Sequence, residues 1–172
     1  MNDITKNTSE NTENTAIHKE MKLAEGLLLR ADLMKKIEQL QNRIRPVLIV
    51  SGDKLPQENP NKLLAQLRKA IQDLQFLVIR INKTNNQTLV ATQGTLMEAL
   101  AKRDALKMLS EKLRNIRYDA QVNNSGDANL KTTIDIKKLQ TEMDVTARNF
   151  RELDSKIQET NWLTMLAYYL DD

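Results

Sequence analysis

The chain has 172 residues, 28% charged and only 3% aromatic, with four glycines and three prolines; that composition favours long helices over a sheet sandwich, and the length predicts one domain with a sizeable core. Its formal net charge of +3 is spread among nearly as many acids, so neither a nucleic-acid stripe nor a strongly charged surface is implied. Zero cysteines exclude disulfides, thiolate metal sites and a cysteine nucleophile, and no apolar run reaches the roughly 20 residues of a membrane span.

Residues 1–15 repeat an Asn-Thr theme with one aliphatic residue beyond Met1, Ile4, and no apolar signal segment. This predicts a disordered tail, leaving residues 16–172 as a single helical domain. From about Ala16 to Arg45 an apolar stripe runs through Leu23, Leu27, Leu33, Ile37, Leu40 and Ile44, with Arg30 as a polar intruder. Arg45-Pro46 ends it, because a residue before proline is pushed out of the α region. Val47–Val50 is β-branched enough to form a strand, and 51–60 is a loop.

A second helix is predicted through Leu63, Leu67, Ala70, Leu74, Leu77 and Ile81 to Asn85, capped by Asn59 or Asn61 with Pro60 in its first turn. Asn85–Gly94 reads as a polar connection. Thr95 with Glu98 is a capping box opening a third helix, with Leu96, Ala99, Arg103, Leu106, Leu113 and Ile116 on its core stripe and an end near Arg117. The cluster Asn123-Asn124-Ser125-Gly126-Asp127, flanked by Tyr118–Val122 and Leu130–Ile134, predicts a hairpin to which Val47–Val50 can add a strand. Asp135 caps a fourth helix with Leu139, Met143, Ala147, Phe150, Leu153 and Ile157 on its stripe, ending near Asn161-Trp162. The remaining Leu163–Asp172, with Leu166, Tyr168, Tyr169 and Leu170, is apolar enough to be a docking tail, against the bundle or another subunit rather than lipid. The expected fold is mainly α, an antiparallel bundle of about four long helices with a small β element.

Three polar clusters interrupt the stripes: Leu29–Leu33, Ile81–Asn85 and Lys102–Leu106. In an antiparallel bundle Arg30 and Asp32, then Asn82, Thr84 and Asn85, then Arg103 and Asp104, and lastly Asp154, Gln158 and Asn161 could converge. Polar groups at core positions cost stability unless they satisfy one another, so a buried network that fixes helix register is the first reading and a pocket for an anionic or nucleotide-like ligand the second. Arg103 in particular is expected to be substantially buried against a carboxylate, Asp32, Asp104 or Asp154.

No catalytic residues, cofactor or metal are assigned. His18 is the one histidine, and no Gly-x-Ser-x-Gly, phosphate loop or His-Glu-x-x-His is present. Glu25, Asp32, Glu98 and Asp104 could hold Mg²⁺ only in principle, since the predicted helices lack the paired Glu-x-x-Glu and Glu-x-x-Asp motifs that helical nucleotide pyrophosphatases use.

Four segments together resemble the septicolysin-like family of small bacterial proteins: Lys22–Glu25 with Leu28–Leu33; Ile79–Asn85; Thr95-Leu96 with Ala99–Asp104; and Arg151–Asp154 with Ile157–Trp162. The resemblance spans about residues 20–165 and implies a mostly helical protein with a small β element that self-associates, but no established activity. At 118–121 the chain departs from that pattern, with Tyr118-Asp119-Ala120-Gln121 in place of a more basic stretch. The combined expectation is a cytoplasmic, non-enzymatic interaction or scaffold module that forms homo-oligomers, with coiled-coil spacing in at least two helices. Binding or hydrolysis of a small anion is the alternative; nucleic acid and membranes are not expected partners.

Overall fold

A computed structural model describes residues 20–49, 51–52, 55–122 and 131–167. The Asn-Thr segment 1–15 and the 123–127 turn lie outside the described residues. Four long helices occupy most of the rest: α1 (Leu23–Ile44), α2 (Pro60–Gln87), α3 (Leu96–Val122) and α4 (Ile136–Leu163). Between α2 and α3 sits a two-stranded antiparallel sheet, β1 (Leu89–Val90) and β2 (Gly94–Thr95), with Leu89 opposite Thr95 and Val90 opposite Gly94. The protein is mainly α with a small hairpin.

Caps fix where three of the helices begin. Asn59 Oδ1 accepts from the backbone N–H of Asn61 and Lys62 at 3.0 and 3.2 Å, with Pro60 as the first helical residue, where its missing N–H costs nothing. Asp135 Oδ1 does the same for Lys137 and Lys138 at 3.0 and 3.1 Å. At α3 the capping box closes reciprocally: Thr95 N donates to Glu98 Oε2 at 2.7 Å, and Glu98 N donates to Thr95 Oγ1 at 3.2 Å.

Three sequence expectations need correction. Val47 is not the start of a strand but the end of a 3₁₀ turn, Arg45–Val47, that prolongs α1. Arg45 stays in the right-handed helical region despite the proline after it, and the turn carries Val47 into the core one heptad beyond Leu40. Tyr118–Val122 continues α3 instead of forming a strand, and residues 131–134 carry no strand either. At Arg117, the expected end, the helix is still tied to its neighbour, since Arg117 Nη1 donates to Gln140 Oε1 of α4. The hairpin falls instead in the stretch read as a connection, and α2 runs to Gln87, two residues past its expected end.

The hairpin's turn explains why its signal is weak. Gln93 N donates to Val90 O at 2.9 Å, closing a turn whose third residue, Thr92, has φ +65°. That is a type II geometry, in which glycine or asparagine is expected at the left-handed position. Gly94, with φ +90°, follows directly.

By their contacts the described residues form two compact units, one of residues up to Asn85 together with those from Asn161 on, the other of Asn86–Thr160. In the first, the end of α1 packs on the start of α2 through Leu40, Ile44, Val47, Leu63 and Ala70, so the two helices are antiparallel. At the opposite end of α1 the chain segment after α4 lies alongside Met21–Leu23: Leu23 N donates to Thr164 O and Leu166 N to Met21 O, both at 2.9 Å, and Lys22 bridges Met165 in antiparallel fashion. Leu166 is buried over Gly26, where a Cβ would sit only 3.0 Å from Leu166 Cδ2. A glycine in mid-helix is unfavourable by about 0.5–1 kcal/mol relative to alanine; here it admits a buried leucine.

In the second unit, α3 and α4 pack antiparallel around Ala99, Leu113, Leu139 and Leu153, and Val90 and Leu96 tie in the hairpin, with Leu96 N donating to Thr88 O at 2.8 Å.

Candidate functional site

The expected polar residues separate by unit and by environment. In the first unit Arg30, Asp32 and Asn82 are exposed, Asn85 is half-buried, and Thr84 and Asn161 are buried. Arg30 misses the interior because the buried line of α1 runs through Gly26, Leu33, Leu40 and Val47, a single heptad position continued into the 3₁₀ turn, while Arg30 and Ile37 lie on its flank. Thr84 is a junction: its hydroxyl donates to Arg80 O at 2.8 Å and accepts from Ala167 N at 2.8 Å.

The buried arginine of this unit is Arg80, 3% exposed, whose Nε donates to Ala167 O at 2.8 Å. Sequence reasoning passed over it. Its spacing was the available signal: Arg80 lies three residues after Leu77 and four before Thr84, on the buried face of α2.

In the second unit Arg103 meets two carboxylates. Its Nε and Nη2 donate to Asp104 Oδ1 at 3.0 and 2.7 Å, and Nη1 lies 3.8 Å from Asp154 Oδ1 of α4. The pairing agrees with expectation. The burial is less complete, since the Arg103 side chain keeps 24% exposure and those of Asp104 and Asp154 keep 65% and 36%. Gln158 is exposed. Among the described residues no buried side-chain nitrogen or oxygen lacks a hydrogen-bond partner, the condition a structural polar network must meet.

The carboxylates considered for Mg²⁺ are engaged otherwise. Glu25 Oε2 accepts from Lys22 N at 2.7 Å, and Glu98 is bound into its capping box. The hydrogen bonds from Thr95, with the charge of Lys102 adding to them, hold the Glu98 carboxyl below the ordinary glutamate range. Among the described residues no three carboxylate or histidine side chains gather into a metal site.

Two features of the second unit were not legible beforehand. One is a groove of about 500 Å³ between α3 and α4, floored by Ala105, Leu106, Leu109 and Leu153. Lys102 and Lys156 stand at its hairpin end, where Lys102 Nζ donates to Gln93 O at 2.8 Å; Glu152 and Asn149 border it further along. The other is a set of exposed apolar side chains on α3: Met97, Met108, Leu109 and Ile116 are exposed by 53, 62, 42 and 41%, the two methionines on one line and Leu109 with Ile116 on another about 100° round the helix. Ile116, expected in the core stripe, lies with Leu109 at its exposed edge, because the inner face is set by Leu96, Ala99 and Leu113.

A family pattern matches residues 30–166, four-fifths of the chain. The protein belongs to DUF6847, a family of unknown function. The DUF6847 architecture is also present in the crystal structure of a functionally unknown conserved protein from Corynebacterium diphtheriae, 29% identical, with a TM-score of 0.80 over 87% of this chain and the whole of that one. No curated protein matches the chain. Among the described residues of this DUF6847 protein no helix is long and apolar enough to cross a membrane.

Proposed function

We propose that this DUF6847 protein is a non-enzymatic interaction or scaffold module that works as a homo-oligomer. The supporting observation is the apolar exposure of α3: four large apolar side chains over five helical turns remain 41–62% exposed in the single chain, and burying such side chains against a partner favours association. The resemblance to the septicolysin-like family supports the same reading, and a cysteine-free chain is compatible with a reducing cytoplasm. The rival, a site for a nucleotide-like anion centred on Arg103, has less support because Asp104 and Asp154 already match that guanidinium.

Light scattering over a hundredfold range of concentration tests the proposal. The expected result is a mass that is a multiple of 19.8 kDa, falling on dilution, and lowered by Met108→Asp at constant helix content. A particle of one chain at every concentration overturns it.

A further inference from the structure

We infer that residues 164–167 are a strap exchanged between two copies of this chain, the Leu166 of each filling the slot over Gly26 of the other. The inference rests on the self-association reading and adds to it a contact on the first unit, separate from the exposed side chains of α3.

The seat of the strap is a complete recognition site for an extended segment. Leu23 N donates to Thr164 O and Met21 O accepts from Leu166 N, both at 2.9 Å. Gly26, having no Cβ, leaves the slot that Leu166 fills. Arg80 Nε and Thr84 Oγ1 then hold the carbonyl and the N–H of Ala167. This is strand addition with one side-chain pocket, a mode by which proteins bind segments of other chains. Emptying the seat takes a hydrogen bond from each of two buried side chains, Arg80 and Thr84, which disfavours the empty state. The occupant that meets every one of these groups is a strap of this same sequence, so a second copy supplies it.

The strap is also poised to leave its own chain. Between Trp162 and Ala167 there is no glycine or proline, and Met165, Leu166 and Ala167 are strong helix formers. Helix α4 nevertheless stops at Leu163, whose carbonyl accepts from Lys22 Nζ at 3.4 Å. The seat therefore holds the strap extended against its local preference, and a released strap regains part of the lost hydrogen bonding by prolonging α4.

Contacts inside the seat are the same whichever copy provides the strap, so they cancel between the two arrangements. The balance is set by concentration and by the surface beside the hinge. There Trp162, Leu163 and Met165 are exposed by 55, 69 and 47%. In a reciprocal exchange the two hinges pass each other at the two-fold axis, and these side chains bury against their symmetry mates, which favours the exchanged pair.

The chain has no cysteine, so an introduced disulfide reports which copy a strap serves. Lys22→Cys and Met165→Cys, at positions that bridge directly, are placed in separate full-length chains, one bearing a size tag. Mixed where the wild type associates and then oxidised, they are expected to give a covalent product containing one chain of each kind. No such product, from folded chains whose mass shows association, overturns the exchange and leaves self-association standing. A wild-type chain that never associates overturns both. Complementation reads the same contact if a cysteine variant fails to fold. Gly26→Leu blocks the seat and keeps the strap, whereas Leu166→Asp keeps the seat and spoils the strap, so a sound seat meets a sound strap only when the two are mixed. Their equimolar mixture is expected to associate at least about tenfold more tightly than either alone in sedimentation equilibrium, the scale of burying one leucine. A mixture that sediments like its separate components overturns the exchange.

Discussion

Arg80 Nε and the carbonyl oxygen of Ala167 are 2.8 Å apart, 87 residues distant in sequence, and the N–H of the same residue donates to Thr84 one turn along α2. One helix face therefore clamps both polar sides of the segment after α4, while Leu166 fills the space over Gly26. Thr84→Val keeps the shape and removes the acceptor of the Ala167 N–H. A buried group left unsatisfied costs about 1–3 kcal/mol, so urea denaturation should show a loss of that order. Amide exchange at Leu166 and Ala167 should quicken more than at Leu40. Unchanged protection at Ala167 would mean that the Thr84 hydroxyl does not hold the segment.

The four helices were legible because each carries a repeat dense enough to declare a face, and Asn59, Thr95 with Glu98, and Asp135 announce their starts in side-chain chemistry that acts within three residues. The hairpin was not, because its left-handed position is occupied by Thr92, a β-branched residue that gives no turn signal there. The width of a stripe proved ambiguous for a related reason: Ile116 fitted the stripe of α3 by period and lies at its exposed edge. Arg30 and Arg80 interrupt similar patterns, yet only Arg80 is buried, since a carbonyl oxygen from a distant segment meets its guanidinium. That kind of partner has no sequence period to betray it.

Arg103 is the next test. A fully buried pair would lose about 3–5 kcal/mol on removal of one partner, but a side chain 24% exposed beside carboxylates 36 and 65% exposed is screened by water. Arg103→Met is accordingly expected to lower stability by about 1 kcal/mol or less. A double-mutant cycle with Asp154→Asn isolates the part that spans α3 and α4. A loss above about 3 kcal/mol would restore the fully buried reading.

Glu98 sets a pH dependence. Its carboxyl is held low by the Thr95 N–H and hydroxyl and, to a smaller extent, by Lys102. A group whose folded value lies below its unfolded one stabilises when ionised; its contribution is complete above the ordinary carboxylate value and disappears as the pH falls through the folded value. The start of α3 should loosen in acid through that window. The Thr95 amide proton reports it: its chemical shift should titrate at a pH below that of a free glutamate, and in Glu98→Gln the step should vanish. A Thr95 step at the free-glutamate pH would show that the capping box does not hold the charge.

Thr92 offers a change in the favourable direction. A left-handed conformation costs a residue with a Cβ about 1–2 kcal/mol, and Thr92 bears that cost at φ +65°. Thr92→Gly removes the strain but makes the unfolded chain more flexible, which offsets about 0.4–1 kcal/mol. The net expectation is a gain of up to about 1 kcal/mol, read from the urea midpoint with an unchanged m-value. The control is Gly94→Ala, at φ +90°, where an added Cβ would meet the Glu98 carboxylate and break the capping box it forms. Its effect should be a loss. If Thr92→Gly destabilises as much as Gly94→Ala, the Thr92 side chain, whose hydroxyl donates to Ala91 O and accepts from Gln93 Nε2, contributes more than its strain removes.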